Sequence, residues 1–517
     1  MIRIRQIKID VLDNCEENLV NEIKKRINNT SIINYEIVKK SLDARKKDHI
    51  FYVYEVDVNI KNEKEVLKKY GNNDLFLTPN EEYIFPKGFL NERPVIIGSG
   101  PAGLMCAYIL AENGYNPIIY ERGCDILERI LITEKFFQKG VLDPDCNVQF
   151  GCGGAGTFSD GKLNTLVKDK LSRGKKVFQI FVKNGAPKEI LYENNPHIGT
   201  DVIRKVILNI KNSIIKMGGE INFNSKLNNL IIKDNRLEGI VINDEIISCH
   251  YLVLAIGHSA RDTFQMLNDN KLNMIPKPFA VGLRIMHKQE MININQYGKK
   301  YYKLLPPASY KLTYTTKSGR GVYSFCMCPG GYVVNSSSEK NHLAINGMSN
   351  YKRDTKWANS AIVVTISPKD FGSNPLDGIK FQRNLEQNAY NACHGKIPVN
   401  MYADYLKNQE SKNIPNDLAV KGEYFSYNLN KILPKYINDS LKEGINNFGN
   451  KIKGYDGDEA ILLGVETRTS SPLRILRDDN GVSNITGIYP CGEGAGYSGG
   501  ITSSCMDGIK IAELLVK

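Results

Sequence analysis

Residues 93–123 read RPVIIGSGPAGLMCAYILAENGYNPIIYERG, and this stretch decides the fold of the chain. The apolar run Val95–Ile97 stops at a G-x-G-x-x-G turn, and apolar residues then recur at helical spacing until Gly114. A second apolar run follows and ends at Glu121. The pattern predicts a strand, a glycine turn, a helix and a second parallel strand, which together form a unit that binds a dinucleotide.

The glycine turn has a physical role at each position. Gly98 permits the tight turn, Gly100 lets the backbone approach a pyrophosphate, and Gly103 lets the helix pack closely on the strand. The start of the helix offers unpaired N–H groups with partial positive charge, and the carboxylate of Glu121 would accept hydrogen bonds from a ribose. The residues predicted to contact the cofactor in this unit are Gly98, Gly100, Pro101, Ala102, Gly103, Glu121 and Arg122.

Length and composition are those of a globular protein with several domains. The chain has 517 residues, of which 42% are hydrophobic and 24% charged, so it is long enough for about two to four domains. The N-terminus lacks the apolar segment of a signal peptide, and no apolar run reaches membrane-spanning length. We therefore expect a cytoplasmic protein without a membrane partner.

Cysteine usage favours a reduced protein without a metal centre. The eleven cysteines are odd in number and spread over a long chain, which predicts reduced thiols rather than a disulfide framework. No metal site is predicted, because the sequence has no C-x-x-C pair and because Cys393 and His394 are adjacent, a spacing that points their side chains apart.

The formal net charge of +12 is best examined locally, because an AT-rich genome would also enrich a protein in lysine. Between residues 162 and 188 there are eight basic residues and one acidic residue. This run is interpreted either as a solvated lysine-rich face or as a surface for an anionic substrate or RNA.

The chain divides into five segments. Residues 1–70 show the order β-α-β-β-α, which predicts a small ferredoxin-like α+β module, and residues 71–92 form a linker rich in glycine and proline. Residues 93–275 are predicted to form the first part of the nucleotide-binding domain, with a parallel sheet and a three-stranded meander. Residues 276–443 are predicted to form a mostly β substrate domain, and residues 444–517 to complete the nucleotide-binding domain.

A second glycine cluster lies between residues 147 and 162 and also matches G-x-G-x-x-G. We reject a second nucleotide site there, because no apolar strand precedes the cluster and no β-α-β unit with an acidic end follows it. A loop whose bare backbone lies against the ligand fits better. Its predicted cofactor contacts are Gly153, Gly154, Gly156, Thr157 and Gly161.

Four residues are candidates for catalysis. Lys162 ends the second glycine cluster, beside Ser159 and Asp160, where it would either border the reacting group or cap a turn. His197 is the histidine expected to act as an acid or base, against the alternative that it packs a loop. Cys326 and Cys328 form a C-x-C pair, which is either a redox dithiol or two buried, reduced thiols.

The motifs together resemble a known family. The segments VIIGSGPAGL, IYERG, LAIGH and YPCGEGAGYSGGI resemble the FAD-binding pattern of glutathione-reductase-like flavoproteins. More narrowly, the segments NVQFGCGGAGTFSDGKLNT, PHIGTD, IGHSARDTF, KPFAVGLRI, RGVYSFCMCPGG and GVETRTSSPLRI are similar to the bacterial FAD-dependent dehydrogenases often labelled NAD(FAD)-utilising. The resemblance implies an α/β fold, in which a glutathione-reductase-like FAD-binding Rossmann domain carries an inserted, mostly β substrate domain and an N-terminal ferredoxin-like α+β module.

The resemblance also implies which further groups meet the cofactor. Gly257 would close on FAD, and the helix after residue 500 would point its positive end at the flavin ring. Family members usually carry aspartate where this chain has Glu493, and glutamate where it has Cys152. The cofactor contacts added in this way are Gly257, Gly492, Glu493, Gly500 and Ile501.

The expected function is that of an FAD-dependent oxidoreductase, a dehydrogenase or reductase that transfers a hydride between flavin N5 and an unidentified small molecule of the cytoplasm. The sequence shows no NAD(P) domain of its own, so either NADH or NADPH docks transiently as electron donor or another protein supplies electrons. Two alternatives stay open. One is an FAD-dependent enzyme that modifies tRNA or rRNA, and the other is a non-catalytic flavin-binding redox or interaction protein.

Overall fold

The computed structural model describes residues 1–80 and 82–517, and its first part is a four-stranded module. Its elements are β1 (Ile2–Asp10), α1 (Glu16–Arg26), β2 (Ile32–Asp43), β3 (Phe51–Ile60), α2 (Glu63–Tyr70) and β4 (Leu75–Leu77). The strands pair antiparallel in the order β2-β3-β1-β4, with the isoleucines of β1 buried in the module core, as expected for a ferredoxin-like module. The predicted end at residue 70 is too early, because β4 adds to the free side of β1.

The nucleotide-binding domain begins with the predicted strand-turn-helix-strand unit. Its elements are β5 (Val95–Ile97), α3 (Pro101–Glu112), β6 (Ile118–Tyr120), α4 (Ile126–Lys139), α5 (Arg173–Lys183), α6 (Gly199–Lys216), β7 (Glu220–Asn222), β8 (Leu227–Lys233), β9 (Arg236–Ile242), β10 (Glu245–Ser248), β11 (Leu252–Leu254), α7 (Arg261–Asp269) and β12 (Met274–Pro276). Two short 3-10 helices, Ala155–Phe158 and Lys188–Leu191, lie in its loops. Strands β8, β9 and β10 form the predicted antiparallel meander.

The inserted domain is built on a seven-stranded sheet. Its elements are β13 (Phe279–Lys288), α8 (Gln289–Tyr301), β14 (Thr313–Thr315), β15 (Gly321–Cys328), β16 (Tyr332–Asn335), β17 (Ile345–Met348), β18 (Trp357–Ile366), α9 (Pro368–Phe371), α10 (Asp377–Cys393), β19 (Ile397–Met401), α11 (Tyr402–Leu406), β20 (Val420–Lys421), β21 (Tyr424–Ser426), the 3-10 helix Leu429–Lys431, α12 (Lys435–Gly449) and β22 (Ile461–Glu466). The strand order is β14-β15-β18-β13-β22-β19-β21, and β16, β17 and β20 form a smaller sheet beside it.

The chain then returns to the nucleotide-binding domain. Its last elements are β23 (Leu473–Ile475), β24 (Ile488–Pro490) and α13 (Ile501–Val516). Strand β24 completes a five-stranded parallel sheet in the order β24-β11-β5-β6-β7. Over residues 1–80 and 82–517, no helix combines the length and the apolar character that crossing a membrane requires.

The parallel sheet separates two apolar cores. Ile96 faces the core that contains α3, α6 and α13, while its neighbours Val95 and Ile97 face the core under the meander and α7. Because both faces are covered, the strands read as continuous apolar runs, and their carboxyl ends are left free to line a cavity.

The boundary predicted at residue 443 does not hold. It falls inside α12, and β22 beyond it pairs with β13 and β19 in the sheet of the inserted domain. The sequence misled because β22 is buried along its whole length, so its apolar run looks like a strand of the parallel sheet. A run of apolar residues indicates that a strand is buried, but it does not indicate which sheet the strand joins.

One pair of cysteines departs from the expected reduced thiols. Cys124 and Cys146 form a disulfide across a sequence separation of 22 residues, while nine cysteines are free. Cys124 follows β6 and Cys146 lies in the loop after α4, and the backbone of Cys152 donates a hydrogen bond to the carbonyl of Cys124. The two loops meet only in the folded chain, so cysteine number and spacing could not show the pair.

Candidate functional site

A cavity of about 670 Å³ lies where the parallel sheet faces the inserted domain. Residues that follow β5, β11 and β24 form one wall, and they include Gly98, Gly257 and Glu493. Residues of β15 form part of the opposite wall, among them Ser324 and Cys326. Ligands of open parallel sheets bind at the carboxyl ends of the strands, and this cavity occupies that position.

The first glycine turn has no room for side chains at Gly98 and Gly103. Gly98 has a φ of +100°, and a Cβ atom on Gly103 would overlap with the carbonyl oxygen of Gly98. The second glycine loop packs on the first, since a Cβ on Gly154 would lie 2.9 Å from the Cα of Gly100. Gly100 also precedes α3 as its N-cap and makes no side-chain cap. A wall of bare backbone at a helix N-terminus fits a pyrophosphate.

Glu121 is buried in the wall and joins the two glycine loops. One carboxylate oxygen accepts from the backbone N–H groups of Gly123 and Gly151 at 2.9 and 3.0 Å. The other accepts from the backbone N–H and the hydroxyl of Ser99, both at 2.8 Å. These four bonds fill the acceptor sites of a carboxylate, so a ribose hydroxyl would have to share an oxygen with donors that are already bound. Ribose binding by Glu121 stays a prediction.

Most of the predicted cofactor residues lie in the cavity wall. These residues are Gly98, Gly100, Pro101, Ala102, Glu121, Arg122, Gly154, Gly156, Gly161, Gly257, Glu493, Gly500 and Ile501. The structure places Gly103, Gly153, Thr157 and Gly492 behind the wall, where they support it. Thr157, for example, is fully buried, and its hydroxyl accepts a hydrogen bond from Arg129 at 3.2 Å.

The buried guanidinium of Arg129 fixes the conformation of the second glycine loop, and no motif in the sequence identified this residue. Its N–H groups donate to backbone carbonyl oxygens of Asn147, Val148, Gly151, Cys152 and Gly154 at 2.8 to 3.2 Å. Burial lowers the pKa of Arg129 to about 10, which leaves it charged at neutral pH. The available signal was an arginine on the buried face of α4, a position that calls for a buried partner.

Lys162 and Asp160 lie at the end of the cavity that faces the inserted domain. Asp160 accepts hydrogen bonds from Arg353, with Nε at 3.1 Å, and from the hydroxyl of Ser349. Burial opposes ionisation, yet Lys162 and Arg353 hold the pKa of Asp160 below its usual range. The ammonium nitrogen of Lys162 lies 3.4 Å from Asp160, and it is buried without a hydrogen-bond partner.

Cys326 and Cys328 occupy different environments in a bulge of β15. Cys326 has a left-handed φ of +44° and is exposed, in the wall of the cavity. Cys328 is buried, and its thiol donates to the carbonyl oxygen of Cys326 at 3.2 Å. Both thiols are free, and the surrounding protein raises the pKa of Cys326 to about 12. Cys326 therefore carries its proton at neutral pH.

Arg284 of β13 fixes the bulge through its side chain, and no motif in the sequence identified this residue. The fully buried guanidinium donates to Glu466 at 2.9 Å, to Asn359 at 2.9 Å and to the carbonyl oxygen of Cys326 at 2.8 Å. Arg284 and Glu466 lie on the neighbouring strands β13 and β22. An ion pair inside the sheet thus orients the residue that reaches the cavity.

His197 does not reach the cavity wall. Its backbone pairs with Lys162, while its ring nitrogen Nε2 lies 3.0 Å from the carbonyl oxygen of Tyr351 and its ring stacks on that of Tyr351. Burial, reinforced by Arg353, lowers the pKa of His197 to about 4, so the ring is neutral at neutral pH. The predicted acid or base lies outside the cavity, and His197 instead supports the loop that carries Lys162.

His258 is the histidine that the structure places in the cavity wall. Nδ1 lies 3.3 Å from Oε1 of Glu493, and Nε2 is buried without a hydrogen-bond partner. The position after β11, at the carboxyl end of a central parallel strand, was the signal that could have identified it. Glu493 stands where family members usually carry aspartate, and its longer side chain reaches the imidazole of His258.

The basic run between residues 162 and 188 is partly neutralised. Arg173 pairs with Glu513, and Lys176 and Lys183 pair with Glu112 at 2.7 and 3.8 Å. Three of its eight basic residues therefore serve the packing of α5 against α13 and α3. RNA binding has less support than the sequence suggests, and it stays a prediction.

Comparison with known proteins places this site in a family. The description "FAD-dependent protein, C-terminal domain-like" matches residues 278–469, and "NAD(P)-binding Rossmann-like domain" matches residues 96–128. A domain of unknown function matches residues 1–59. An uncharacterized protein of Clostridium beijerinckii is 47% identical over 528 residues, which cover 100% of this chain and 98% of that protein. The chain belongs to this family of FAD-dependent proteins. FAD is its cofactor.

The family model for the C-terminal domain covers the inserted domain as the structure has it, from β13 to β22. Among solved structures, glycine oxidase from Bacillus cereus is 11% identical, with a TM-score of 0.35, over 82% of this chain and 95% of that one. L-Proline dehydrogenase from P. horikoshii is 13% identical, with a TM-score of 0.37, over 82% of this chain and 94% of that one.

Proposed function

We propose that the protein is an oxidoreductase that transfers a hydride between flavin N5 and a small molecule bound against the inserted domain. The observation that carries this proposal is one continuous cavity with two kinds of wall. Bare glycine backbone and two helix N-termini form one side, and the ammonium of Lys162 with the thiol of Cys326 forms the other. A cofactor held on the first side leaves its reactive ring for a substrate held on the second.

The chain supplies binding and orientation on the cofactor side. The N-terminus of α3, which begins at Pro101, would receive the pyrophosphate, and the N-terminus of α13, which begins at Ile501, offers partial positive charge to the flavin ring. When bound, FAD supplies the two-electron chemistry that the side chains lack. The His258–Glu493 pair would hold a proton or a hydroxyl group of the cofactor in the same wall.

On the substrate side the chain would position the reacting atom and manage protons. Cys326 keeps its proton at neutral pH and can donate a hydrogen bond into the cavity, and Lys162 offers an ammonium group beside it. Asp160 is ionised near neutrality and is at most a weak base, because Lys162 and Arg353 stabilise its ionised form. Its part in the proposal is to position Lys162.

The test is anaerobic reduction of the purified protein with bound FAD. We expect the flavin absorption band to bleach with NADH or NADPH, or else with a protein donor from the same cells, and to return on addition of the oxidised substrate. Protein that holds no FAD would contradict the proposal. Flavin that reacts with oxygen alone, across panels of metabolites and RNA, would favour a non-catalytic redox or interaction protein.

A further inference from the structure

We propose that Lys162 binds a carboxylate of the substrate, so that the substrate class is small carboxylic acids. The inference rests on the proposed function, since it concerns the substrate end of the same cavity. Lys162 lines the cavity. Its ammonium nitrogen is buried and has no hydrogen-bond partner. Buried charged donors without acceptors are rare in folded proteins and indicate a partner that binds later.

The charges around Lys162 leave one positive charge unbalanced. Asp160 is the nearest acid, but its two oxygens are engaged by the guanidinium of Arg353 and the hydroxyl of Ser349. Lys162 approaches Asp160 only to 3.4 Å and makes no hydrogen bond with it. One carboxylate therefore faces two cations, and a singly charged anion would complete the balance.

The other charged groups near this end do not supply that anion. Glu466 is taken by Arg284 at 2.9 Å, and its pKa is raised by burial. Cys326 keeps its proton, because desolvation of the thiol by the surrounding protein raises its pKa to about 12. Glu493 lies beside His258 in the wall at the ends of β11 and β24, on the cofactor side. The acceptor that Lys162 lacks must come from a bound molecule.

The wall beside Lys162 also offers neutral donors of the kind that bind a carboxylate. The side-chain oxygen of Asn346 accepts from the backbone N–H of Gly347 at 2.7 Å and from Arg284 at 3.3 Å. The group that Asn346 has left to offer is its NH2, which is a donor. Asn346 and Cys326 both line the cavity, so an amide and a thiol are available in the same cavity as the ammonium of Lys162.

Lys162 belongs to the substrate end rather than to the nucleotide loops. Its ion-pair partner Asp160 is held by two residues of the inserted domain. The positive charge of Lys162 also interacts electrostatically with the thiol of Cys326, which belongs to the same domain. The next residue, Leu163, accepts a hydrogen bond from the hydroxyl of Thr502 at 2.6 Å, at the start of α13. A carboxylate at Lys162 would thus lie between the start of α13 and the bulge of β15.

The experiment measures binding to the protein with FAD bound, by isothermal titration calorimetry at constant ionic strength, together with the flavin difference spectrum. The probes are acetate, succinate and benzoate, each paired with its neutral amide. We expect at least one carboxylate to bind and its amide to bind far more weakly. Lys162→Gln should weaken carboxylate binding by about ten- to a hundredfold, and Lys162→Arg should restore part of it. Lys317→Gln is the matched control, since Lys317 is an exposed lysine outside the cavity wall.

Three results would overturn the inference: no carboxylate of the panel binds, amides bind as well as acids, or Lys162→Gln and Lys317→Gln behave alike. A fourth is that Lys162→Gln leaves carboxylate binding intact and instead changes the affinity for FAD or its reduction potential, which would assign Lys162 to the cofactor. Failure of the proposed function looks different, because FAD would be absent or no donor would bleach it while carboxylates still bound.

Discussion

Replacing Arg284 by methionine tests the buried charge that shapes the substrate end of the cavity. Methionine keeps much of the side-chain volume and removes every donor. Arg284 is fully buried in β13, where it donates to Glu466 at 2.9 Å and to the carbonyl oxygen of Cys326 at 2.8 Å. In the variant, the carboxyl group of Glu466 stays in the sheet without a cationic partner.

The expected loss follows from that unpaired acid. Removing one partner of a buried ion pair lowers the free energy of unfolding by about 3–5 kcal/mol. In the double variant Arg284→Met with Glu466→Gln no buried charge remains, and the lost bonds to neutral acceptors should cost about 2 kcal/mol. The double variant should therefore be about 2 kcal/mol more stable than Arg284→Met alone.

The assay is urea unfolding followed by tryptophan fluorescence. The chain has a single tryptophan, Trp357, which is buried in β18 opposite Lys288 of β13, so its emission reports the sheet that contains Arg284. Burial raises the pKa of Glu466, and loss of Arg284 removes the main effect that opposes this rise. A carboxyl with a raised pKa in the folded state stabilises at acidic pH, and that stability is lost as pH rises through the folded pKa. The deficit of Arg284→Met should therefore grow from acidic to neutral pH.

The surface pair of Lys435 and Asp439 provides the control. Lys435 is 88% exposed, so Lys435→Met should change the free energy of unfolding by less than about 0.5 kcal/mol. Equal instability of Arg284→Met and the double variant would refute the reasoning, since the acid would then have no cost of its own. So would a deficit of Arg284→Met as small as that of the control.

Three further predictions concern other parts of the molecule. Gly103→Ala should abolish tight FAD binding, because its Cβ would overlap with a backbone carbonyl. Gly114→Ala should retain FAD in absorbance measurements, because its Cβ meets nothing within 4 Å and the strain of an alanine at φ +85° costs only about 1 kcal/mol. Reduction of the disulfide should lower the free energy of unfolding by about 3 kcal/mol, and Cys124→Ser should remove the response to reductant, leaving Cys146 as a free thiol; equal melting with and without reductant would argue against the bond. Because the pKa of Asp160 is lowered in the folded state, its ionised form stabilises the fold above the unfolded-state pKa, and this stability is lost as pH falls. The melting temperature of Asp160→Asn should therefore lie below that of the parent protein at neutral pH, and the difference should become smaller at acid pH. A difference in melting temperature that does not change with pH would contradict this.

The nucleotide-binding unit could be predicted from sequence because its signals are local. Gly98 and Gly103 act through their own backbone, and the turn, α3 and β6 follow each other without a break. The meander was equally accessible, since each of its strands is joined by a two-residue turn. The domain boundary was not accessible, because an apolar strand such as β22 reads alike whichever sheet it joins.

What the sequence determined by itself is the cofactor side: the glycine turns, the helix starts and the order of elements around them. Only the tertiary structure decided which charged side chains meet in the cavity. Asp160 meets Arg353 across 193 residues, and His258 meets Glu493 at the ends of strands that are far apart in the chain. The physical reason is that a backbone turn depends on neighbours in sequence, whereas charge balance, burial and pKa depend on neighbours in space.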